Sequence, residues 1–185
     1  MVNIMLDGTT IAACKTDKGT AIAGDGQITM GQNTIFKQSA KKIWKLYKGE
    51  VLAGFAGSVA DAMTLFERFE HKLEQEKGNL SKASVELAKE WRSDKVLRRL
   101  EALLLVANLD KMFIISGSGE IIEPDDNVAA IGSGGAYALS ALKMLSKHSD
   151  LAPGEMACEA LNTAAEICVY TNSHISVEEL RAQGD

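Results

Sequence analysis

Cysteine, proline and aromatic residues are scarce in this chain: 3 Cys, 2 Pro and 5% Phe, Trp and Tyr in 185 residues. Cys14, Cys158 and Cys168 are odd in number and show no C-x-x-C spacing. That pattern excludes a disulfide scaffold or a cysteine-rich zinc module and fits a reducing cytosol. Basic charge is also in deficit, with 20 Lys and Arg against 25 Asp and Glu and a net charge of -5. Without a basic stripe, neither nucleic acid nor an anionic membrane is an expected partner. The longest uninterrupted apolar run, Ala102 to Ala107, is far below the ~20 residues of a membrane span. The opening Met1-Val2-Asn3-Ile4-Met5-Leu6-Asp7-Gly8 has no basic start and too short an apolar stretch for a signal peptide, so a cytoplasmic location is expected.

What is present suits one globular domain. The 46% hydrophobic content can supply a core, and a chain of this length buries roughly 70% of its unfolded surface. Sixteen glycines stand against the two prolines, which is unlike a disordered chain and asks what the glycine does. Small, β-leaning runs at Thr10–Cys14 and Thr20–Ala23 flank the turn Thr16-Asp17-Lys18-Gly19. Asn33–Phe36, Lys42–Tyr47 and Glu50–Gly57 read as further strands. Val59, Ala62, Met63, Phe66, Phe69 and Leu73 then recur at helical spacing, and a second helix is expected from Leu80 into the nineties. Strands return at Leu103–Ala107, Met112–Ile115, Glu120–Ile122 and Val128–Ile131. Helices follow at Gly135–Lys147 and Pro153–Ile167, with a last short strand expected around Tyr170–Asn172 and Ile175. Blocks of strands and helices, rather than strict alternation, indicate an α+β fold.

The chemistry-bearing positions are local. Ile131-Gly132-Ser133-Gly134-Gly135 follows a strand and opens a helix, where backbone N–H groups can receive an anion. A dinucleotide fingerprint starting at Gly132 would end on Tyr137, and no G-K-[ST] occurs, so a P-loop is excluded. A tight turn, a phosphate-binding module on Gly132–Gly135 and a loop serving an active site remain as readings. His71, His148 and His174 are scattered in polar settings, and no metal-ligand spacing links them. Gly8-Thr9-Thr10-Ile11 puts a threonine after a glycine at the head of a strand. Cleavage of Gly8–Thr9 would give Thr9 a free α-amine, of pKa about 7.7–8.0, beside its own hydroxyl. That pair is the N-terminal threonine form of nucleophilic catalysis. Asp25, between Gly24 and Gly26, sits where a bend can aim its carboxylate. One of Lys41 and Lys42 can point inward, since neighbours in an extended segment face opposite sides. Gly54-Phe55-Ala56-Gly57 ends a strand where a backbone N–H can serve as an oxyanion donor.

These pieces occur in a characteristic order. With Ala23-Gly24-Asp25-Gly26-Gln27, Ala53 to Ala62, Leu97 to Ala102, Ala130 to Gly135 and Ile167 to Asn172, the chain resembles the HslV (ClpQ) family of bacterial proteasome-like peptidases, over nearly everything from Thr9 to Leu180. The resemblance implies a four-layer αββα sandwich of the N-terminal nucleophile hydrolase type, with residues 1–8 a removable leader and 9–185 one domain. It implies a threonine peptidase: Thr9 as nucleophile with its amine as base, Lys42 beside it, Asp25 holding Lys42, Gly57 as oxyanion donor and Ser133 near the amine. It also implies a monovalent cation, Na+ or K+, on the backbone carbonyls of Ala165, Cys168 and Thr171, where the family often has glycine at the first of these. Two stacked hexameric rings, a hexameric AAA+ ATPase partner (HslU, ClpY), unfolded protein substrates and no ATP on this chain complete what it implies. Close relatives often lose little more than the initiator methionine, whereas eight residues precede Thr9 here. If they stay in place, the chain is an inactive ring subunit.

Overall fold

The computed structural model describes residues 6–31, 33–95, 97 and 102–182. The leader up to residue 5 and most of the Leu97–Ala102 motif lie outside the described residues. The chain forms β1 (Leu6–Asp7), β2 (Thr10–Thr16), β3 (Gly19–Asp25), β4 (Ile28–Met30), β5 (Thr34–Lys37), β6 (Ile43–Leu46) and β7 (Val51–Ala56). Helices α1 (Val59–Gln75) and α2 (Leu80–Ser93) follow, then β8 (Leu103–Ala107), β9 (Met112–Ser116), β10 (Ile121–Ile122) and β11 (Val128–Gly132). The chain closes with α3 (Gly135–His148), α4 (Pro153–Ile167) and β12 (Ile175–Arg181).

Alternation along the strands builds the layers. Ile11, Ala13 and Ile22 point to one side of the antiparallel sheet β11-β2-β3-β12, while Ala12, Cys14, Ala21 and Ala23 point to the other. In the antiparallel sheet β10-β9-β8-β7-β6, Leu52, Leu105 and Ala107 meet Ile11 and Ile22 in the central core. Phe55, Leu104 and Val106 face away, onto Leu65, Phe69, Leu87 and Trp91 of α1 and α2. The first sheet carries α3 and α4 on its outer face, through Leu142, Ala157, Ala160, Leu161 and Ala164. Helix pair, sheet, sheet, helix pair is thus a four-layer sandwich, because each sheet is apolar on both faces and each helix on one. Alanine at so many contacts lets α4 lie close on β2 and β3.

Local signals set the helix boundaries. Asn79 caps α2, its Oδ1 accepting the Lys82 N–H at 3.0 Å. Pro153 opens α4, and the Glu155 side chain accepts the Ala152 N–H at 2.9 Å. Two features depart from the sequence expectation. A third, small sheet, β1-β4-β5, includes leader residues: Leu6 pairs with Met30 and Asp7 with Thr29. Val169–Tyr170 is a turn and Thr171–Asn172 have no regular structure, while the last strand runs from Ile175 to Arg181, pairing with β3 along its length. Alternation is weak in both segments, so pairing partners decided them.

Cys14 tests the packing. It is 1% exposed, its Sγ donates to the Pro153 carbonyl at 3.0 Å, and burial pushes its thiol up to about 12. A group held this far from thiolate is unreactive. Iodoacetamide at pH 8 is expected to leave Cys14 unlabelled in the native protein and to label it in urea. Native labelling at the rate of a free thiol, read by peptide mass spectrometry, would contradict the α4-on-sheet contact.

Candidate active site

The site forms where the ends of β2, β3, β7 and β11 meet the start of β6. Thr9 leads into β2 and is only 9% exposed. Its carbonyl accepts the Ser133 N–H at 2.9 Å. Gly132, with φ +93, makes this possible: a Cβ there would fall 1.8 Å from the Thr9 carbonyl oxygen. Thr9, Gly57, Ser133, Gly8, Ala56 and Gly132 line a common cleft of about 360 Å³.

Under this cleft lies a buried ion pair. Lys42 Nζ is 2.9 Å from Asp25 Oδ1, and the two residues are 5% and 1% exposed. Lys41, its neighbour, is exposed. The ammonium has three hydrogens and three acceptors: Asp25, the Gly8 carbonyl oxygen at 2.7 Å and the Gln27 carbonyl. Burial lowers the lysine's pKa, and the Asp25 charge acts against that shift. Asp25 is equally committed. Oδ1 accepts the Thr10 N–H at 2.8 Å besides Lys42, while Oδ2 accepts the N–H groups of Gln27 at 3.0 Å and Asn172 at 3.3 Å. Four donors fill the four acceptor positions of one carboxylate.

Gly8 joins this network from the leader side. Its φ is +104, and a Cβ would stand 2.9 Å from Thr29 Oγ1 and 3.3 Å from the Tyr170 carbonyl oxygen. Glycine is therefore the residue that lets the Gly8–Thr9 peptide cross the site with its carbonyl on Lys42.

The turn after α4 backs the other side of Thr10. Thr171 Oγ1 is 2.7 Å from Thr10 Oγ1, which also accepts the Gly134 N–H at 2.9 Å. Ala165 lies inside α4, and no positive φ is required of it, so alanine is no obstacle there. Carbonyls of a helix's last turn run out of N–H donors further along the helix. The Cys168 carbonyl accepts the Thr171 N–H at 3.1 Å and has a second lone pair. Neutral carbonyl oxygens suit a hard cation of low charge, and no cluster of three or more His, Cys, Asp or Glu that could hold a metal occurs among the described residues.

The remaining sequence candidates separate. His71, His148 and His174 are exposed. The phosphate-loop reading of Gly132–Gly135 fails, because the Ser133 and Gly134 N–H groups are taken by Thr9 and Thr10. The sequence assigns no role to Thr10, Gln27 and Asn172; they stand inside the motifs, but the contacts that tie Thr10 to Asp25 and Thr171, Gln27 to Val169 and Asn172 to Asp25 span 15 to 161 residues. Local spacing holds no trace of such contacts.

An αββα sandwich with a glycine-preceded threonine at the head of an inner strand, over a buried lysine, defines the N-terminal nucleophile hydrolase class of the proteasome type. The sequence matches the proteasome subunit family over residues 5–180. It is 62% identical over 176 residues to the ATP-dependent protease subunit HslV of Caldicellulosiruptor saccharolyticus, covering 95% of this chain and 100% of that one. Its structure is similar to that of eukaryotic HslV from Trypanosoma brucei, with a TM-score of 0.89, 39% identity, and 94% of this chain and 99% of that chain covered. The chain belongs to the proteasome subunit family, as a homologue of HslV.

The ion pair makes a stability prediction. Removing one partner of a buried pair leaves an uncompensated charge and costs about 3–5 kcal/mol. Asp25→Asn is expected to lower the urea midpoint accordingly, and a midpoint equal to the parent's would show that the pair carries no such weight.

Proposed function

We propose that this chain is the proteolytic subunit of an ATP-dependent protein-degradation complex, a threonine peptidase whose nucleophile is Thr9. The observation that carries the assignment is the Lys42 ammonium, 2.7 Å from the Gly8 carbonyl oxygen and 2.9 Å from Asp25, directly beneath the bond that must break. Attack by the Thr9 hydroxyl on the Gly8 carbonyl carbon, with Lys42 polarising that carbonyl, moves the leader acyl group from nitrogen to oxygen. Water then hydrolyses the ester, releasing residues 1–8 and leaving Thr9 with a free amine.

Substrate cleavage repeats the chemistry with another chain. The Thr9 hydroxyl gives its proton to the α-amine and attacks the peptide carbonyl, the Gly57 N–H receives the developing oxyanion, and the amine product departs. Water releases the acyl group and restores the hydroxyl. Lys42, held by Asp25, keeps the potential positive and favours the neutral amine. Ser133 stands beside that amine. Leu6 and Asp7, paired with β4 just before Thr9, lie on the acyl side of the Gly8–Thr9 bond, where a substrate's acyl side would run.

The carbonyls of Ala165, Cys168 and Thr171 would hold a monovalent cation, Na+ or K+. Bound there, such an ion supplies fixed positive charge that steadies the turn bearing Thr171 against Thr10. The relatives' names, HslV and ATP-dependent protease subunit, support an HslU-type ATPase partner and a ring oligomer. Within this proposal the partner is a hexameric ATPase, the subunits form two stacked hexameric rings, and the substrates are unfolded proteins. ATP belongs to that partner, since the chain has no G-K-[ST]. No helix among the described residues is long and apolar enough to cross a membrane, and the reading places the complex in the cytoplasm.

Thr9→Ala is expected to lower casein and small-peptide cleavage by at least ~10³-fold with the rings intact by size-exclusion chromatography. Retained activity would refute the assignment of the nucleophile.

A further inference from the structure

Lys42 is reached by an irregular segment. Residues 38–42 run from β5 to β6 without regular structure, and 33–39 are exposed. The Asp25-Gly26-Gln27 turn supplies two of the three acceptors that Lys42 uses. The segment and the turn must therefore be fixed to each other if the ammonium is to stand at one place under Thr9.

Asn172 is built into that joint from a third part of the chain. Its Oδ1 accepts the Gly26 N–H at 3.1 Å and the His174 N–H at 3.2 Å. Its Nδ2 donates to the Gln38 carbonyl at 2.9 Å, and its backbone N–H donates to Asp25 Oδ2 at 3.3 Å. Ala40 N–H to Gly26 carbonyl, 2.9 Å, is a second link between the same two segments. They approach so closely that a Cβ on Gly26 would lie 2.3 Å from the Gln38 carbonyl oxygen. A side chain with an acceptor and a donor on one planar group suits this place, one end on the turn and the other on the lysine's approach.

We propose that Asn172 is a positioning residue for the peptidase reaction: its side-chain amide clamps the Asp25–Gln27 turn to the Gln38–Lys42 segment and so sets where the Lys42 ammonium stands relative to Thr9. Asn172 touches no reacting atom and acts through Lys42 and Asp25. This inference rests on the assignment of Thr9 as nucleophile. Loss of the clamp displaces a charge that works on the chemical step, while the cleft that receives substrate is lined by other residues. A displacement near 1 Å can cost as much as ~10²-fold in rate, and loss of outer supporting contacts typically costs about 10–100-fold.

The test uses the full chain assembled with its ATPase partner, comparing parent, Asn172→Ala and Asn172→Asp for kcat, KM and Tm on a fluorogenic peptide. Asn172→Asp keeps the acceptor for the Gly26 N–H and removes the donor to the Gln38 carbonyl, so it reports the clamp even if the alanine variant folds poorly. Both variants are expected to lose about 10- to 100-fold in kcat with KM within twofold of the parent. For Asn172→Asp, Tm should stay near the parent value. Values of kcat within twofold of the parent in both variants would overturn the proposal. So would a loss carried by KM, or one that tracks a collapse of Tm in both, since either marks a merely structural role. Thr9→Ala, run alongside, separates the two claims: if it stays active, the peptidase assignment fails, whatever the Asn172 variants do.

Discussion

A buried lysine charge is the constraint on which the rest of this structure depends. Taking an ammonium out of water costs several kcal/mol unless every one of its hydrogens finds an acceptor and an opposite charge stands close by. Lys42 meets that condition with Asp25, the Gln27 carbonyl and the Gly8 carbonyl, which come from β3, the turn after it and the leader. Asp25 in turn gathers the N–H groups of Thr10, Gln27 and Asn172. The network converges under Thr9 because the charges leave few other arrangements.

The sandwich serves that arrangement. One of its sheets puts β2 and β3 side by side, so Thr10 and Asp25 become neighbours across a strand pair although 15 residues separate them. Small residues allow the close approaches the site needs. Gly132 gives room to the Thr9 carbonyl, Gly8 lets the leader cross, and the alanines beneath α4 bring the Cys168–Thr171 turn against Thr10. The glycine excess is thus backbone shaped around a threonine. The phosphate-loop alternative fails for the same reason: its N–H groups are already bonded to Thr9 and Thr10.

Much of this was legible in the sequence, at the level where information is local. Helical spacing marks α1 and α2, apolar alternation marks the strands of both large sheets, and glycine-threonine at a strand head marks the nucleophile candidate. The α+β class followed from the order of blocks, whereas the four layers came from the family resemblance and not from any periodicity. Strands β1 and β4 escaped because they are only two and three residues long and exist by pairing, β1 with β4 and β4 also with β5. The Tyr170–Asn172 segment is β-prone by composition, yet it is not a strand, and Thr171 and Asn172 spend their groups on Thr10, Asp25, Gly26 and Gln38. Which of Lys41 and Lys42 turns inward was likewise open to residue patterning alone. Lys42 is placed inside by its packing beside Gly24 and its bond to Asp25 at the end of β3, a three-dimensional fact with no local signature.

The central claim is that Thr9 works with a free α-amine, generated by breaking the Gly8–Thr9 bond over Lys42. Intact mass spectrometry of the purified full-length chain, followed over time alongside peptide cleavage, tests it most directly. The account predicts a species beginning at Thr9, lighter by Met1 to Gly8, whose rise parallels the rise in peptidase activity. Full peptidase activity from a chain that keeps the residues before Thr9 would contradict it.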